Sequence, residues 1–372
     1  MKKFAKNFIT LFFLALGLIA AFVILRAYSF KEIIRVYTHF DGITLLMYGL
    51  VLTFLYIVLT YRWNVVLRAR KIHIPFRKLF VYRIIGTSIN FLTPGPRVGG
   101  EPTQANLLGK HGVEFNEGLS TVMIDKIIDT TTSGILFIIG AFLVGIKYSF
   151  PRDTEIALFV AGTLFMTLVV LFYYRMLTNR HFFLHIFHWL KLDKTKVRWI
   201  KRLETSVREI EIIMIDFYAY NKKAFIKCVA ISIFTWVVMF FEYTYATKLI
   251  GFQLGLAELF FIITFIGMAQ LFPIPMAVGV LEAGQISAFA LIGWPTTAGV
   301  ALAFLVRLKD IFISLIGLVL LAAYGFQVTK VVETQYKRKT QIIEKELRQT
   351  EKVMEKENAL KHKADINEND FQ

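Results

Sequence analysis

Long stretches without a single charged side chain constrain this chain more than any other feature. Residues 8–25 carry no charge, and neither do residues 42–61. Runs of about 18–20 such residues match a hydrocarbon core of roughly 30 Å at about 1.5 Å per residue. Further apolar runs cover residues 130–146, 156–174, 229–241 and 311–324. A soluble core would intersperse its apolar side chains with polar ones at helical or strand spacing. Here they stand in blocks, in a chain that is 56% apolar and holds 36 Phe. The fold class that follows is all-α and polytopic in a membrane. Lys2, Lys3 and Lys6 precede the first block. That block is longer than the apolar core of a secretory signal and no small-residue cleavage site follows it, so an uncleaved first span is expected.

The net charge of +16 does not point to nucleic acid, because the basic residues bracket the apolar blocks. The connection over residues 62–78 carries six Lys/Arg and no acid, and residues 175–223 carry eleven Lys/Arg. The alternate connections, 26–41 and 147–155, are mixed in sign. By the positive-inside rule the N-terminus, both basic stretches and the C-terminal tail are expected in the cytoplasm, with the protein in the cell membrane. Aromatic and basic residues alternate over 175–223, including Phe182, Trp189 and Tyr218, which predicts interfacial amphipathic helices. The tail, 329–372, is rich in charge of both signs and reads as a solvated helix, with Glu344 and Arg348 spaced i,i+4.

This orientation leaves two segments too short to cross. Residues 79–92 and 258–271 are fourteen-residue apolar legs, about 21 Å each if helical. One breaks at Pro94-Gly95-Pro96 and the other at Pro273-Ile274-Pro275. Irregular backbone at membrane depth survives only where protein or a wet cavity satisfies it, so two re-entrant or broken hairpins are expected. Pro94, Pro96 and Gly100 fall on Pro273, Pro275 and Gly279 at a constant offset of 179. Glu101, Gln104, Lys126 and Asp129 then fall on Glu282, Gln285, Arg307 and Asp310 at an offset of 181. The halves, about 42–148 and 223–326, enter from opposite sides, which predicts an inverted repeat within a domain covering 1–328.

Charged groups inside spans carry the functional expectations. Lys126 with Asp129, and Arg307 with Asp310, sit at i,i+3 on one helix face, where each can offset the other as a gating or structural ion pair. Glu101 and Glu282 follow the breaks at the start of a second leg. They are read either as capping carboxylates paired with Lys126 or Arg307, or as groups lining a polar cavity. Gly99, Gly100 and Gly279 allow close backbone approach or positive φ. Gln104 and Gln285 complete the candidate substrate-binding set, and Arg97 is placed to hold an anionic head group. No P-loop, zinc-protease helix or nucleophile elbow is present in the sequence. His181, His185 and His188 share a helix face in a basic stretch, which fits a solvated or lipid-facing role better than a metal site. No metal and no cofactor are expected.

The stretch from Thr93 through Pro102, ending Asn106-Leu107-Leu108, together with Pro275 to Ala283 and Arg307-Leu308-Lys309-Asp310, resembles the membrane domain of lysylphosphatidylglycerol synthases and the related flippase-like family. The resemblance covers roughly residues 5–328. It implies movement of lipids between leaflets, whereas aminoacyl transfer in that family belongs to a separate soluble domain for which the residues after the last span leave no room. It also leads to a basic residue just before the second Glu, where this chain has Leu281, and to another near Gln104. The leading expectation is a non-enzymatic flippase, or transporter of a lipid-linked substrate, with membrane lipids as its partners. Two alternatives stand beside it. One is an intramembrane lipid-modifying transferase using Glu101 or Glu282 as base; the other is a scaffold recruiting a cytoplasmic protein through the tail.

Overall fold

A computed structural model describes residues 41–92, 99–147, 152–190, 198–269 and 279–325. The first apolar block, both Pro-x-Pro breaks, Arg97 and the tail lie outside the described residues. Among the described residues every regular element is helical. In order they are α1 (Gly42–Ala69), α2 (Phe76–Leu92), α3 (Gly100–Leu108), a 3₁₀ turn (Gly109–His111), α4 (Phe115–Lys147) and α5 (Arg152–Leu177). There follow α6 (Phe183–Trp189), α7 (Arg198–Tyr220), α8 (Lys222–Leu249), α9 (Leu256–Ala269), α10 (Val280–Leu291) and α11 (Thr296–Gly325). A compact unit runs to Leu321, and the second unit enters the description only through residues 322–325.

Helices α1 and α8 are each 28 residues long and apolar enough to cross a membrane. At about 1.5 Å per residue each reaches about 42 Å, past a core of roughly 30 Å. Their start and stop follow local chemistry. The Asp41 carboxylate accepts the orphan N–H groups of Ile43 (3.3 Å) and Thr44 (3.2 Å), and the chain leaves α1 through Lys71 at φ 61°. The outer faces carry apolar stripes at helical spacing: Leu46, Leu50, Phe54 and Ile57 on α1, and Leu308, Ile311, Phe312, Leu315 and Val319 on α11 are all exposed. Contiguous apolar surface of this kind suits lipid as the solvent and not water.

α1 and α8 run antiparallel through the centre. Phe54 meets Phe234 edge-on (centroids 6.2 Å), while Lys227 lies over the Tyr61 ring (5.1 Å), so numbering rises on one helix as it falls on the other. Two apolar cores flank this pair. One gathers Val66, Ile124, Ile128, Phe172, Met214 and Tyr218, and the other gathers Leu249, Ile262, Leu281, Phe289, Leu302 and Val306. The short legs reach across the molecule. Ser88 of α2 places Oγ 3.1 Å from the Ile313 carbonyl of α11, and the Phe260 ring of α9 fills the space beside Gly140 of α4.

Two expectations change here. The basic stretch 62–78 is not a loop throughout, because α1 continues to Ala69 and buries Arg62 at 1% exposure. The first short leg starts earlier than the apolar run, at Phe76, and is 17 residues long. In both cases a charge ends the apolar run while the backbone hydrogen bonds continue the helix.

Candidate functional site

In the first half the site is built where α2, α3 and α4 meet. Asn90, near the end of α2, accepts the Gly100 N–H at Oδ1 (2.6 Å), which satisfies an orphan donor at the start of α3. The Asn90 amide also donates to Glu101 Oε1 (3.2 Å), and Lys126 of α4 is ion-paired to that same oxygen. A Cβ on Gly100 would collide with the Gly86 carbonyl oxygen of α2, so the two helices touch backbone to backbone. The Gln104 side chain lies over the bare face of Gly86, and Glu101 and Gln104 are both buried. Gly100→Ala is therefore expected to lower stability by roughly 1–3 kcal/mol, as overpacking does. Thermal unfolding in detergent checks this, and an unchanged midpoint would show that the crossing is loose.

A second Glu–cation cluster stands on α10 and α11. Gly279 takes φ 84°, a conformation that favours glycine, and its N–H donates to Glu282 Oε2 (2.7 Å). Arg307 of α11 grips the same carboxylate through Nε (2.7 Å to Oε1) and Nη2 (3.2 Å to Oε2). Both side chains of this fork are 12% exposed. Gln285, fully buried, stands one turn further along α10.

The i,i+3 pairings expected from sequence are replaced by others. Among the described ion pairs, Lys126 joins Glu101 and Arg307 joins Glu282; none joins Lys126 to Asp129 or Arg307 to Asp310. Longer-range partners prevail because the carboxylates at the starts of α3 and α10 lie directly opposite these cations. Asp129 instead pairs with Arg62, whose Nε also meets Asp125 Oδ1 (2.7 Å) and whose Nη1 meets Ser232 (2.9 Å). Arg83 closes this network against the other Asp125 oxygen (2.7 Å), packing 5.3 Å from the Trp63 ring centroid. On the other side, Lys309 meets Glu242 at 2.8 Å.

Arg83, Asn90, Asp125 and Glu242 have no place in the sequence expectations, and Arg62 and Lys309 enter them only as part of a basic connection and of the family resemblance. The signal for Arg62 and Glu242 was available: each stands directly after an apolar block and the two are 180 residues apart. Several buried polar atoms have no hydrogen-bond partner among the described residues: Glu101 Oε2, both amide atoms of Gln285, and Asp310 Oδ2. Leaving one such atom unsatisfied costs about 1–3 kcal/mol.

The helix lengths, the lipid-facing stripes and the charges held between spans define a helical integral membrane protein. The family profile of the lysylphosphatidylglycerol synthase TM region matches residues 10–317, and the chain belongs to that family. It is similar to a UPF0104 membrane protein of Methanothermobacter thermautotrophicus, 25% identical over 303 residues, covering 78% of this chain and 88% of the relative. A UPF0104 membrane protein of Methanocaldococcus jannaschii is 35% identical over 97 residues, 25% of this chain and 29% of the relative. One from Pyrococcus horikoshii is 27% identical over 145 residues, 38% of this chain and 41% of the relative.

Proposed function

We propose that the protein moves a phospholipid or lipid-linked substrate between leaflets, with its head group passing the two Glu–cation clusters while the acyl tails stay in the bilayer. The observation that carries this reading is the matched pair of locks. Glu101–Lys126 and Glu282–Arg307 each span 25 residues, and each ties the helix after a break to a long helix. Beside them stand buried polar atoms in need of partners, Glu101 Oε2 and the Gln285 amide. A polar head group or its water would satisfy them.

The same matching supports an inverted repeat with its pseudo-twofold axis in the membrane plane. Arg62–Asp129 ties α1 to α4, and Glu242–Lys309 ties α8 to α11, the corresponding pair of helices in the other half. Phe54 and Phe234 meet edge-on where the corresponding spans α1 and α8 cross antiparallel. The α2–α11 and α9–α4 contacts are the exchange that this symmetry requires. Inverted repeats place substrate near the midplane, between broken helices, and allow one half to rock against the other. In this reading the locks at Lys126 and Arg307 gate the rocking. Gly99 and Gly279 admit the head group beside them, and both termini are cytoplasmic.

Fluorescent phospholipids in proteoliposomes, scored by chemical quenching of the outer leaflet, test the proposal. Reconstituted protein is expected to expose inner-leaflet lipid of at least one head-group class faster than empty vesicles do. A panel of anionic, zwitterionic and glycolipid head groups that all stay at the empty-vesicle rate would overturn it.

A further inference from the structure

Apart from the two Glu–cation clusters, α5, α6 and α7 carry an apolar groove that leads to a basic cup. An open groove of about 640 Å³ runs along α5, lined by Phe159, Gly162, Met166, Val170 and Tyr174, with Ile138 of α4 on its other wall. Those α5 residues recur every three or four positions and form one apolar stripe. The stretch from Phe159 to Tyr174 is about 22 Å long, more than the roughly 15 Å half-thickness of a hydrocarbon core. Immediately beyond Tyr174 the chemistry changes. Arg175, Arg180, His181, His185, His188 and Arg208 line a cup of about 450 Å³.

The charge balance of the cup favours an anion. Glu211, fully buried, is taken up by the N–H groups of Phe182, Phe183 (2.6 Å) and Leu184 (3.1 Å) and by His181 Nδ1 (3.0 Å). Glu204 lies at the rim, 3.5 Å from His188 and 3.6 Å from Arg208. Among the described residues Arg175 uses one of its five N–H donors, on the His181 carbonyl (2.8 Å). Among the described residues Arg180 makes no ion pair. Guanidinium forks match phosphate oxygens in geometry and charge. Exposed Ile186, Trp189 and Leu190 on and after α6 set the cup at the apolar–polar boundary, where aromatic and aliphatic side chains anchor to a bilayer.

We propose that this groove and cup bind one anionic phospholipid, its phosphate held by Arg175, Arg180 and Arg208 and an acyl chain laid along α5. The site is independent of the transport reading, since it shares no residue with the Glu101 or Glu282 clusters.

Native mass spectrometry of the full chain in detergent, titrated with phosphatidylglycerol or phosphatidylcholine, tests the assignment. Wild type is expected to retain phosphatidylglycerol about tenfold more tightly, because both lipids offer the same phosphate but only phosphatidylcholine brings a cation that the basic cup repels. The Arg180→Gln/Arg208→Gln variant should bind the two lipids equally. Gly162→Leu tests the apolar half and leaves the charges intact. Its Cβ would sit in ordinary contact with Ile138, at 3.5 Å, and its side chain would fill the groove. It should weaken retention of phosphatidylglycerol but leave the weak binding of soluble glycerol phosphate unchanged. The proposal is overturned if the double Arg variant keeps the wild-type preference, if Gly162→Leu retains the lipid unchanged, or if soluble glycerol phosphate displaces the lipid as readily as free phosphatidylglycerol does.

Discussion

Arg62→Leu is expected to cost roughly 3–5 kcal/mol of stability, the usual result of removing one partner from a buried ion pair. Arg62 is 1% exposed and faces two carboxylates, Asp125 and Asp129, with Ser232 as a third acceptor. Leucine fills much of the space but leaves two acids to share the single cation Arg83, which reaches only Asp125. The loss is therefore one of charge balance more than of packing. Arg62→Leu/Asp129→Asn keeps one cation, Arg83, against one anion, Asp125, and should recover more than half of the lost stability. Cys228 provides the readout. It is the chain's one cysteine, it is buried, and its Sγ lies 3.8 Å from the Arg62 carbonyl. A thiol-reactive dye will report the temperature at which this centre opens. If single and double variants expose Cys228 at the wild-type temperature, the network does not hold the bundle.

The membrane class and the all-helical fold were legible in the sequence, because lipid solvation imposes long uncharged runs and leaves few positions for charge. The pairing of those charges was not. Local spacing put Lys126 with Asp129 and Arg307 with Asp310, since neighbours at i,i+3 are the contacts a single helix offers. The fold supplied Lys126, Arg307 and Asp129 with partners from other helices, 25, 25 and 67 residues away in sequence. Arg62 and Glu242 were hidden for a related reason. Each terminates an apolar block and so reads as the edge of a span, yet each is inside a 28-residue helix and nearly fully buried. Asn90 carries no charge, and its role as cap to Gly100 exists only once α2 and α3 have turned on each other.

Glu282→Gln is expected to slow lipid movement about tenfold or more, a loss of roughly 1.4 kcal/mol or more at the rate-limiting step. It should exceed the effect of Glu101→Gln. Glu282 is gripped by two donors of one guanidinium and also accepts the Gly279 N–H, with both side chains of the pair 12% exposed. The lock at Glu101 has a point-charge partner, Lys126, whose side chain is 43% exposed and screened by solvent. Glutamine keeps the shape of Glu282 and an acceptor for Gly279, so what it removes is the charge that holds Arg307. Arg307→Lys preserves that charge but loses the fork, and should fall between wild type and Glu282→Gln. Measuring thermal unfolding beside transport separates two roles. A variant that unfolds earlier yet moves lipid at the wild-type rate would mark the Glu282–Arg307 pair as structural, with no part in gating. A variant of unchanged stability and slowed transport places the pair on the path of the head group. The ranking Glu282→Gln, Arg307→Lys, wild type follows from charge and fork geometry, and a uniform loss across both substitutions would contradict it.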